Sequence, residues 1–484
     1  MRKIVFVPLD SRPCNTTWIE QFCARSSLEL MMYPASLCGN LHKRSNQSEI
    51  EKFMLEQSKN ADYLLIALDN YCSGGLVQSR LGDFDINQSK RIKTIFQQIK
   101  RINPIIKIYA FDTLMRTTVT SYGYESSVLW QQINRYSALK GLLNEKFDVN
   151  LHTELTSLIS QINPNDLKRY NNARIKKFNM NQFYVELVHE RVIDYLTIVQ
   201  EDAVIKGIQT SEQCKLIAQI NQLGVAKCVK LYNGTDEAAA TLLAKIISEV
   251  YQLKPKVYIE SNDSRMLDCT FPFEDRPFKI NLDHLFDVIG IKNSTLDSSD
   301  FVLAIFADDN QRNISLNDTE EVVLPNEQAL INFTNQVNQH IGDGKRVAIL
   351  DLSFPNGGYD KLILNLDYLN LSAYSAWNTA TNSAGSLLCD MMCVLLGDAT
   401  KSFLKERIMD DCFYQYKVRR QVNEQLLKDN INMFDLGTFA EETLAKIRTL
   451  LSEYRDIIHC DFVVTLPWDR TFEIDIRMGD TYDI

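Results

Sequence analysis

Short apolar runs alternate with helical patterns along most of the chain. Runs such as KIVFV, IYAF and YLTIV consist almost entirely of apolar residues, as strands of a parallel sheet buried on both faces require. The stretches between them carry apolar residues at helical spacing and often end at glycine. Roughly eight to ten strands alternate with helices in this way, which predicts an α/β fold.

The repeated unit of strand and helix favours a (β/α)8 TIM-barrel-like domain, although the pattern also permits a doubly wound sheet. We assign the barrel to residues 1–395. A helical insertion, rich in Asn, Gln, Lys, Leu and Tyr, is expected at about 120–190. Residues 396–484 are expected to form a C-terminal, mostly helical cap whose final strand returns to the body.

The amino-acid composition limits which partners the protein can be expected to bind and in which cellular compartment it is expected. The 484 residues carry a formal net charge of -10, which disfavours nucleic acid or an anionic membrane. No apolar stretch approaches the roughly 18 residues that a membrane helix needs. Pro8 and Asp10 break the first apolar run, so we expect a first strand and not a signal peptide. The 11 cysteines include no CxxC pair, which indicates reduced thiols and a cytoplasmic protein.

Acids, amides and arginines follow many of the predicted strands. In a barrel these strand ends converge on one site. Capping of the next helix explains a single acid at a strand end, but polar residues at the ends of many strands predict a functional site along the C-terminal end of the barrel. The candidates are Asp10, Arg12, Asp69, Asp112, Arg116, Glu201, Asp202, Asn233, Asp236, Asp351, Asn356, Trp377 and Asn378.

Glu201 and Asp202 are adjacent carboxylates at the end of one strand. Where the backbone turns, both can approach one pocket and push each other's protonation apart, as acid and base catalysis requires. The alternative is that one caps the next helix and the other is solvated. Asp236 and Glu237 open a later helix, where the helix dipole favours acids, so at least one of them has a structural explanation.

Other chemistries lack support in the sequence. None of the 6 histidines ends a strand, and Cys389 and Cys393 lie in an apolar helix, so we expect no Ser-His-Asp triad and no metal. There is no phosphate-binding loop and no dinucleotide fingerprint, so we expect no cofactor. Carboxylates, amides and a tryptophan suit a small carbohydrate substrate, and a glycosidase with two carboxylates is the simplest interpretation.

Several segments resemble a bacterial family known as domain of unknown function 4127, which implies no particular activity. Where members of this family usually have the sequence LDDN, this chain has QEDA (200–203), so that Glu201 and Asp202 occupy the positions of the paired acids. The resemblance spans nearly the whole chain. The segments are VPLDSRPCN (7–15), LDNYCSGGLVQSR (68–80), IYAFDTLMR (108–116), LYNGTDEAAATL (231–242), FEDRP (273–277), AYSAWNTATNSAG (373–385), YQYKVRRQV (414–422) and LPWDRTFE (466–473).

The paired acid and the AWN segment are also similar to those of barrel N-acetylhexosaminidases, in which the substrate's acetamide is the nucleophile. This resemblance implies that Glu201 orients the acetamido group and that Asp202 is the general acid and base. It also implies that the sugar is held by Trp377, Asn378 and Asp351. Arg12 and Arg116 are expected either to neutralise buried acids or to bind an anionic sugar.

Three functions are therefore considered. The first is an intracellular glycoside hydrolase that uses the carboxylate pair, with N-acetylhexosaminides as the candidate substrates. The second is a lyase or isomerase of sugar acids or sugar phosphates, and the third is a carbohydrate-binding protein without catalysis, in which arginines pair with Glu201 and Asp202.

Near the C-terminus, Asp410 and Asp411 are expected on a solvated helix face, whereas Trp468 and Phe472 are expected to be packed.

Overall fold

The described strands pair in a six-stranded sheet, a five-stranded sheet and a two-stranded sheet. The structure is a computed structural model and describes residues 1–308, 324–398 and 400–479, without the side chains of residues 124 and 125. The chain divides into two units. The first contains Met1–Leu243 and Phe273–Arg276, and the second contains Ala244–Pro272 and Pro277–Ile484. Residues 396–484 therefore share a unit with residues 277–395, and the division falls near residue 243.

The sheet of the first unit has the order β2-β1-β3-β4-β5-β6, and all neighbouring strands are parallel. Its strands are β1 (Lys3–Val7), β2 (Glu29–Met32), β3 (Tyr63–Ala67), β4 (Lys107–Leu114), β5 (Tyr195–Gln200) and β6 (Val229–Asn233). Every residue of β3 and β5 is buried, as the continuous apolar runs predict for a sheet covered on both faces.

Helices connect these strands. In α6, residues Ile92, Ile95, Phe96 and Ile99 are buried, which is the spacing of a helix that packs one face on a core. The helices of the first unit are α1 (Thr17–Arg25), α2 (Gln47–Gln57), α3 (Leu68–Ser73), α4 (Leu76–Ser79), α5 (Ile86–Ser89), α6 (Ile92–Ile102), α7 (Tyr124–Glu145), α8 (Val149–Gln161), α9 (Pro164–His189) and α10 (Ile208–Gln222). The next helix, α11 (Ala238–Val250), begins in the first unit and ends in the second.

Three helices, α7 to α9, lie between β4 and β5, where the sequence predicts a helical insertion. They share a small core of their own, which includes Ile133, Leu139, Leu155 and Tyr170. The last helix also packs on the main sheet, because Met180, Tyr184 and Val188 belong to the core that surrounds β1 to β6. The insertion is thus an integral part of the first unit.

The main sheet of the second unit has the order β11-β10-β9-β7-β8 and is also parallel. Its strands are β7 (Lys256–Ser261), β8 (Lys292–Asn293), β9 (Phe301–Ala307), β10 (Val347–Leu352) and β11 (Ala373–Ser375). Its first helices are α12 (Phe278–Ile289), α13 (Glu327–Gly342), α14 (Asp360–Leu364) and α15 (Ala380–Leu395).

The C-terminal region is mostly helical and ends in an antiparallel pair of strands. A π-helical segment, Ile408–Val418, joins α16 (Ser402–Arg407) to α17 (Arg419–Lys428). Then follow α18 (Ala440–Ser452), α19 (Arg455–Ile458), β12 (Phe462–Thr465) and β13 (Asp475–Met478), the last two paired with each other. Trp468 is 3% exposed, as predicted, and the hydroxyl of Tyr414 donates to the carbonyl oxygen of Thr471 at 2.5 Å.

The α/β class is confirmed, but the (β/α)8 barrel is not. Within the described residues, β2 and β6 form the edges of the first sheet, and β11 and β8 form the edges of the second. Each unit of strand and helix has the same local pattern in a barrel and in an open sheet, and the pairing of distant strands decides between them. The order β2-β1-β3-β4-β5 is the order of doubly wound sheets, the alternative that the sequence left open.

Among the helices that the structure describes, none combines the length and the apolar character needed to cross a membrane.

Candidate functional site

The predicted site residues lie at the C-terminal ends of strands in two different sheets. Those of the first unit are Asp10, Arg12, Asp69, Asp112, Arg116, Glu201, Asp202, Asn233 and Asp236. Those of the second unit are Asp351, Asn356, Trp377 and Asn378. The prediction that all of them follow the strands of one barrel is therefore not confirmed. In a doubly wound sheet the C-terminal strand ends are the usual place for a ligand, so each edge is described in turn.

Arg12 lies between two buried carboxylates of the first unit. Its Nη2 donates to Oδ2 of Asp10 at 2.8 Å, and its Nε donates to the same oxygen at 3.0 Å. Nη1 and Nη2 donate to Oδ2 and Oδ1 of Asp236 at 3.0 and 2.5 Å. Asn15 donates from Nδ2 to Oδ1 of Asp10 at 2.9 Å. Arg12 thus neutralises acids that burial would otherwise make costly, and it joins the loop after β1 to the loop after β6.

A second ion cluster involves the helical insertion. Lys177 of α9 binds both Asp69 and Asp112 through Nζ. Asn181, one turn further on, donates from Nδ2 to Oδ2 of Asp112 at 2.6 Å, and the hydroxyl of Thr113 donates to Oδ2 of Asp69 at 2.8 Å. Burial and the adjacent Asp69 raise the pKa of Asp112 well above its ordinary range. Against the effect of burial, the two carboxylates raise the pKa of Lys177, which keeps its charge.

Glu201 and Asp202, the predicted catalytic pair, are each bound to an arginine. Arg80 donates from Nε to Oε1 of Glu201 at 2.9 Å, and the backbone nitrogen of Arg116 donates to Oε2 at 3.2 Å. The guanidinium of Arg116 binds Asp202. Against the effect of burial, Arg80 and Arg116 hold the pKa of Glu201 below its ordinary value. The Glu201 side chain is 3% exposed and that of Asp202 31%, so Asp202 is the more accessible acid.

Glu237, in the loop between β6 and α11, has an environment that shifts its pKa in the opposite direction from that of Glu201. It is fully buried, and its Oε2 accepts from the backbone nitrogen of Thr235 at 2.7 Å. Its Oε1 has no hydrogen-bond partner among the described residues. Burial, together with the charges of Asp236 and Glu274, raises the pKa of Glu237 to about 8. A Cβ on Gly234, which has a φ of +135°, would lie 2.2 Å from Oε1, so the carboxyl group requires glycine there.

In the second unit, Asp351 at the end of β10 is held by its neighbours. Its Oδ1 accepts from the backbone nitrogen of Ser353 at 2.9 Å. Its Oδ2 accepts from the backbone nitrogen of Tyr359 at 2.7 Å and from the hydroxyl of Tyr374 at 3.0 Å. Burial raises the pKa of Asp351. These bonds fix the loop that follows β10 against β11.

The other predicted residues of the second unit lie in that loop and after β11. Asn356 and Asn378 have left-handed backbones, with φ of 63° and 70°, and the nitrogen of Asn356 donates to the carbonyl oxygen of Asn378 at 3.0 Å. Trp377 is buried, with its ring centroid 6.2 Å from that of Phe472. Asp351 and Asn378 line a small depression together with the first residues of α15. The structure thus brings Asp351, Asn356, Trp377 and Asn378 together at the second sheet's edge.

The prediction that Asp410 and Asp411 lie on a solvated face is wrong. Both belong to the π-helical segment and are 2% and 0% exposed. Nη1 of Arg407 donates to them at 3.1 and 2.8 Å, and Oδ2 of Asp411 accepts from the backbone nitrogen of Ala376 at 2.9 Å. Burial raises the pKa of Asp411 to about 7, although Arg407 opposes the shift. Both acids therefore face the interior, where the guanidinium of Arg407 offsets their charge.

A family model described as a protein of unknown function, DUF4127, matches residues 4–477. The chain belongs to the DUF4127 family. This confirms the resemblance found in the sequence. No curated protein matches the chain. In this DUF4127 member, the segments that carried the resemblance contain the acids and arginines of the first unit's ion clusters, among them Arg12, Arg80, Arg116 and Asp236.

Sequence reasoning missed several residues of these clusters in the DUF4127 chain. Arg80 follows the short helix α4 and ends no strand, so no strand-end rule selects it. Lys177 lies in the helical insertion among other lysines and asparagines, although its i, i+4 spacing with Asn181 places both on one helix face. Glu237 was predicted, with Asp236, to lie in a first helical turn, where the helix dipole favours acids and gives at least one of the two a structural explanation. Its close approach to Gly234 became visible only in three dimensions.

Proposed function

We propose that this protein is a glycoside hydrolase that acts on a small carbohydrate at the C-terminal edge of the first sheet. One observation carries the proposal. Glu237 and Glu201 follow the neighbouring strands β6 and β5, and their environments push their protonation in opposite directions. Glycosidases need one protonated and one ionised carboxyl group, and contrasting environments are how proteins provide them.

In this proposal Glu237 is the general acid. A carboxyl group with a pKa of about 8 carries its proton at neutral pH and can donate it to the oxygen of the departing sugar. The low-polarity surroundings that raise its pKa also strengthen any hydrogen bond it donates to substrate. The bond between sugar carbon and glycosidic oxygen breaks as the proton moves from Oε1 or Oε2 to that oxygen.

The ionised partner is the pair Glu201 and Asp202. Arg80 and Arg116 keep Glu201 charged, and the guanidinium of Arg116 binds Asp202, so that the pair can stabilise positive charge that develops on the sugar ring. Asp202 is partly exposed and is the better placed of the two to accept a proton from attacking water. The N-acetylhexosaminide class expected from the sequence resemblance remains the first substrate class to test.

The arrangement of the arginines favours an uncharged sugar over a sugar acid or sugar phosphate. A lyase or isomerase of anionic sugars would need Arg12 and Arg116 to face an anionic group of the substrate. Arg12 instead binds Asp10 and Asp236, and Arg116 binds Asp202. An incoming anion would have to displace a carboxylate from each of them.

A carbohydrate-binding protein without catalysis is the second candidate. The ion pairs of Arg80 with Glu201 and of Arg116 with Asp202 favour it, because an acid fixed to an arginine transfers protons poorly. The two candidates differ in one respect, since the binding protein does not need the proton that Glu237 holds. Binding without turnover would select this second candidate.

The test is a panel of chromogenic glycosides that includes N-acetylhexosaminides, with sugar acids and sugar phosphates as further ligands. The variants are Glu237→Gln and Asp202→Asn, and the matched control is Glu154→Gln, an exposed acid of α8 that pairs with Arg135. We expect turnover in the wild type and control, and a loss of about 100-fold or more in the two site variants. Turnover that survives in Glu237→Gln would overturn the assignment of the acid.

A further inference from the structure

The helical insertion holds the short segment of chain that precedes it. Residues 116–118, called the arginine segment here, lie between β4 and α7. The hydroxyl of Thr117 donates to Oδ1 of Asn134 at 3.0 Å, and the hydroxyl of Thr118 donates to the carbonyl oxygen of Trp130 at 2.7 Å. Both acceptors lie in α7, so two consecutive residues of the arginine segment are bound to the insertion.

The third contact with the arginine segment comes from Arg174 in α9. Its Nη1 donates to the carbonyl oxygen of Arg116 at 2.8 Å and to the hydroxyl of Tyr170 at 3.1 Å. Its Nε and Nη2 donate to Oε1 and Oε2 of Glu212 in α10 at 2.9 and 2.6 Å. Arg174 is 3% exposed. Because Glu212 by itself offsets the charge of this buried arginine, the bond to Arg116 is not needed to neutralise it.

The peptide group between Arg116 and Thr117 is held at both of its polar atoms. Arg174 binds its carbonyl oxygen, and its nitrogen, which belongs to Thr117, donates to the backbone carbonyl oxygen of Asp202 at 3.0 Å. The backbone nitrogen of Arg116 donates to Oε2 of Glu201 at 3.2 Å, and its guanidinium binds the carboxylate of Asp202. A displacement of the held peptide group would move the Cα of Arg116 and, with it, both contacts to this acid pair.

We propose that Arg174 of the helical insertion is a positioning residue for the acid pair: it fixes the carbonyl oxygen of Arg116, and Arg116 in turn holds the two carboxylates. Arg174 acts through Arg116 and needs no contact with substrate. The inference deepens the proposed function and rests on it, because the acid pair is the ionised partner in the proposed hydrolysis. It gives the inner face of α9 a role in the site.

A purely structural role for Arg174 makes a different prediction. If Arg174 only packs the insertion, its loss lowers the stability and leaves the bond between Arg116 and Glu201 intact in the folded molecules. If it positions Arg116, its loss weakens that bond in the folded molecules as well. The matched control is Arg135, whose Nε and Nη2 donate to both carboxylate oxygens of Glu154 at 2.7 and 2.8 Å and join α7 to α8.

The test measures the bond between Arg116 and Glu201 without substrate. Isotopic labelling of arginine nitrogen gives one backbone amide signal for each arginine in a nuclear magnetic resonance spectrum, and the signal of Arg116 is assigned by its absence in Arg116→Lys. Glu201→Gln replaces the charged acceptor by a neutral one, which makes a weaker hydrogen bond and should shift this signal. The same substitution is then made in Arg174→Lys and in Arg135→Lys.

We expect Glu201→Gln to shift the Arg116 signal equally in the wild type and in Arg135→Lys, and at most about half as far in Arg174→Lys. Lysine keeps the charge beside Glu212 but lacks the fork that also reaches the carbonyl oxygen. An equal shift in Arg174→Lys, or no shift in the wild type, would overturn the proposal. If Arg174→Lys does not fold, Glu212→Ala, which removes both acceptors that fix the guanidinium, must reduce the shift instead, and failure to do so overturns the proposal equally.

This readout separates the two proposals. A reduced shift in a protein that hydrolyses none of the glycosides supports the role of Arg174 and counts against the glycosidase function. In an active protein, Arg174→Lys should lower kcat per folded molecule by about 10-fold or more with little change in KM, because the acid pair acts on the transition state. Arg135→Lys should leave both constants unchanged. An active protein in which Arg174→Lys alters neither the shift nor kcat would retain the glycosidase and reject the positioning role.

Discussion

Arg12 and Asp236 form a two-pronged ion pair, although the strands that precede them, β1 and β6, are separated in the sheet by β3, β4 and β5. Both side chains are almost completely buried. Because Asp10 shares the same guanidinium, one cation serves two acids. The loops that follow β1 and β6 are therefore joined by ion pairs, whereas the two strands themselves are not paired with each other.

Replacement of Arg12 should be costly. Arg12→Met leaves Asp10 and Asp236 buried without their cation, and we expect the free energy of unfolding to fall by about 3–5 kcal/mol. Denaturant unfolding measures the change. Arg135→Met, which breaks the exposed pair with Glu154, is the matched control and should cost less than about 1 kcal/mol. Equal losses in the two variants would contradict the account of this cluster.

Lys177 should show a pH-dependent effect. Without its ammonium, Asp69 and Asp112 repel each other in a buried setting, so Lys177→Met should destabilise the protein by several kcal/mol at neutral pH. Protonation of one aspartate relieves the repulsion, and the loss should shrink as the pH falls. Addition of Asp112→Asn should restore part of the stability. A loss that is the same at pH 5 and pH 8 would argue against this ion cluster.

Glu237 makes stability fall as the pH rises. Its pKa is raised from 4.5 to about 8 on folding, so the folded state holds a proton that the unfolded state has lost between these values. The stabilisation is therefore complete below pH 4.5 and is lost as the pH rises through 8, with a total on the order of 5 kcal/mol. Glu237→Gln should flatten this part of the curve of unfolding free energy against pH. Parallel curves for variant and wild type would show that Glu237 ionises normally.

The C-terminal tail should matter for stability. Trp468 is buried, with the guanidinium of Arg470 4.8 Å from its ring centroid. Trp468→Ala removes a large buried side chain and should lower the free energy of unfolding of the second unit by about 3–5 kcal/mol. Val463→Ala is the control, because Val463 on β12 is 60% exposed and should change little. An unchanged thermal midpoint for Trp468→Ala would show that the tail is not part of the folded core.

The strands of this protein were predictable because their signal is local. The apolar runs IYAF and YLTIV, from which two strands are predicted, lie within β4 and β5. The insertion was also predictable, because a long segment rich in Asn and Lys, with apolar residues at helical spacing, lies between two predicted strands. The helix α6 buries the face that its apolar spacing indicates.

The division into two sheets was not predictable from these patterns. α11 is an apolar helix between β6 and β7, as in any further barrel unit, and nothing in its sequence says that β7 pairs with β8 and β9 and not with β6. Strand pairing at this distance depends on packing that periodicity does not encode.

The candidate site was predictable in part for the same reason. A strand-end rule selects Asp10, Asp112 and Glu201, which all belong to buried clusters. The partners of these acids come from elsewhere: Arg80 follows a short helix and Lys177 lies in the insertion. Glu237 differs from an ordinary helix-capping acid only through its burial and its neighbours, which are properties of the folded chain.

The most direct test of the account compares two leaving groups. The ratio of kcat/KM for a glycoside with an activated nitrophenyl leaving group to that for an unactivated alkyl glycoside is measured in the wild type, Glu237→Gln and the control Glu154→Gln. A general acid is needed most when the leaving group is poor. We predict that Glu237→Gln raises this ratio by about 100-fold or more, whereas the control leaves it unchanged. An equal loss on both substrates, or none on either, would contradict the role of Glu237 as the acid.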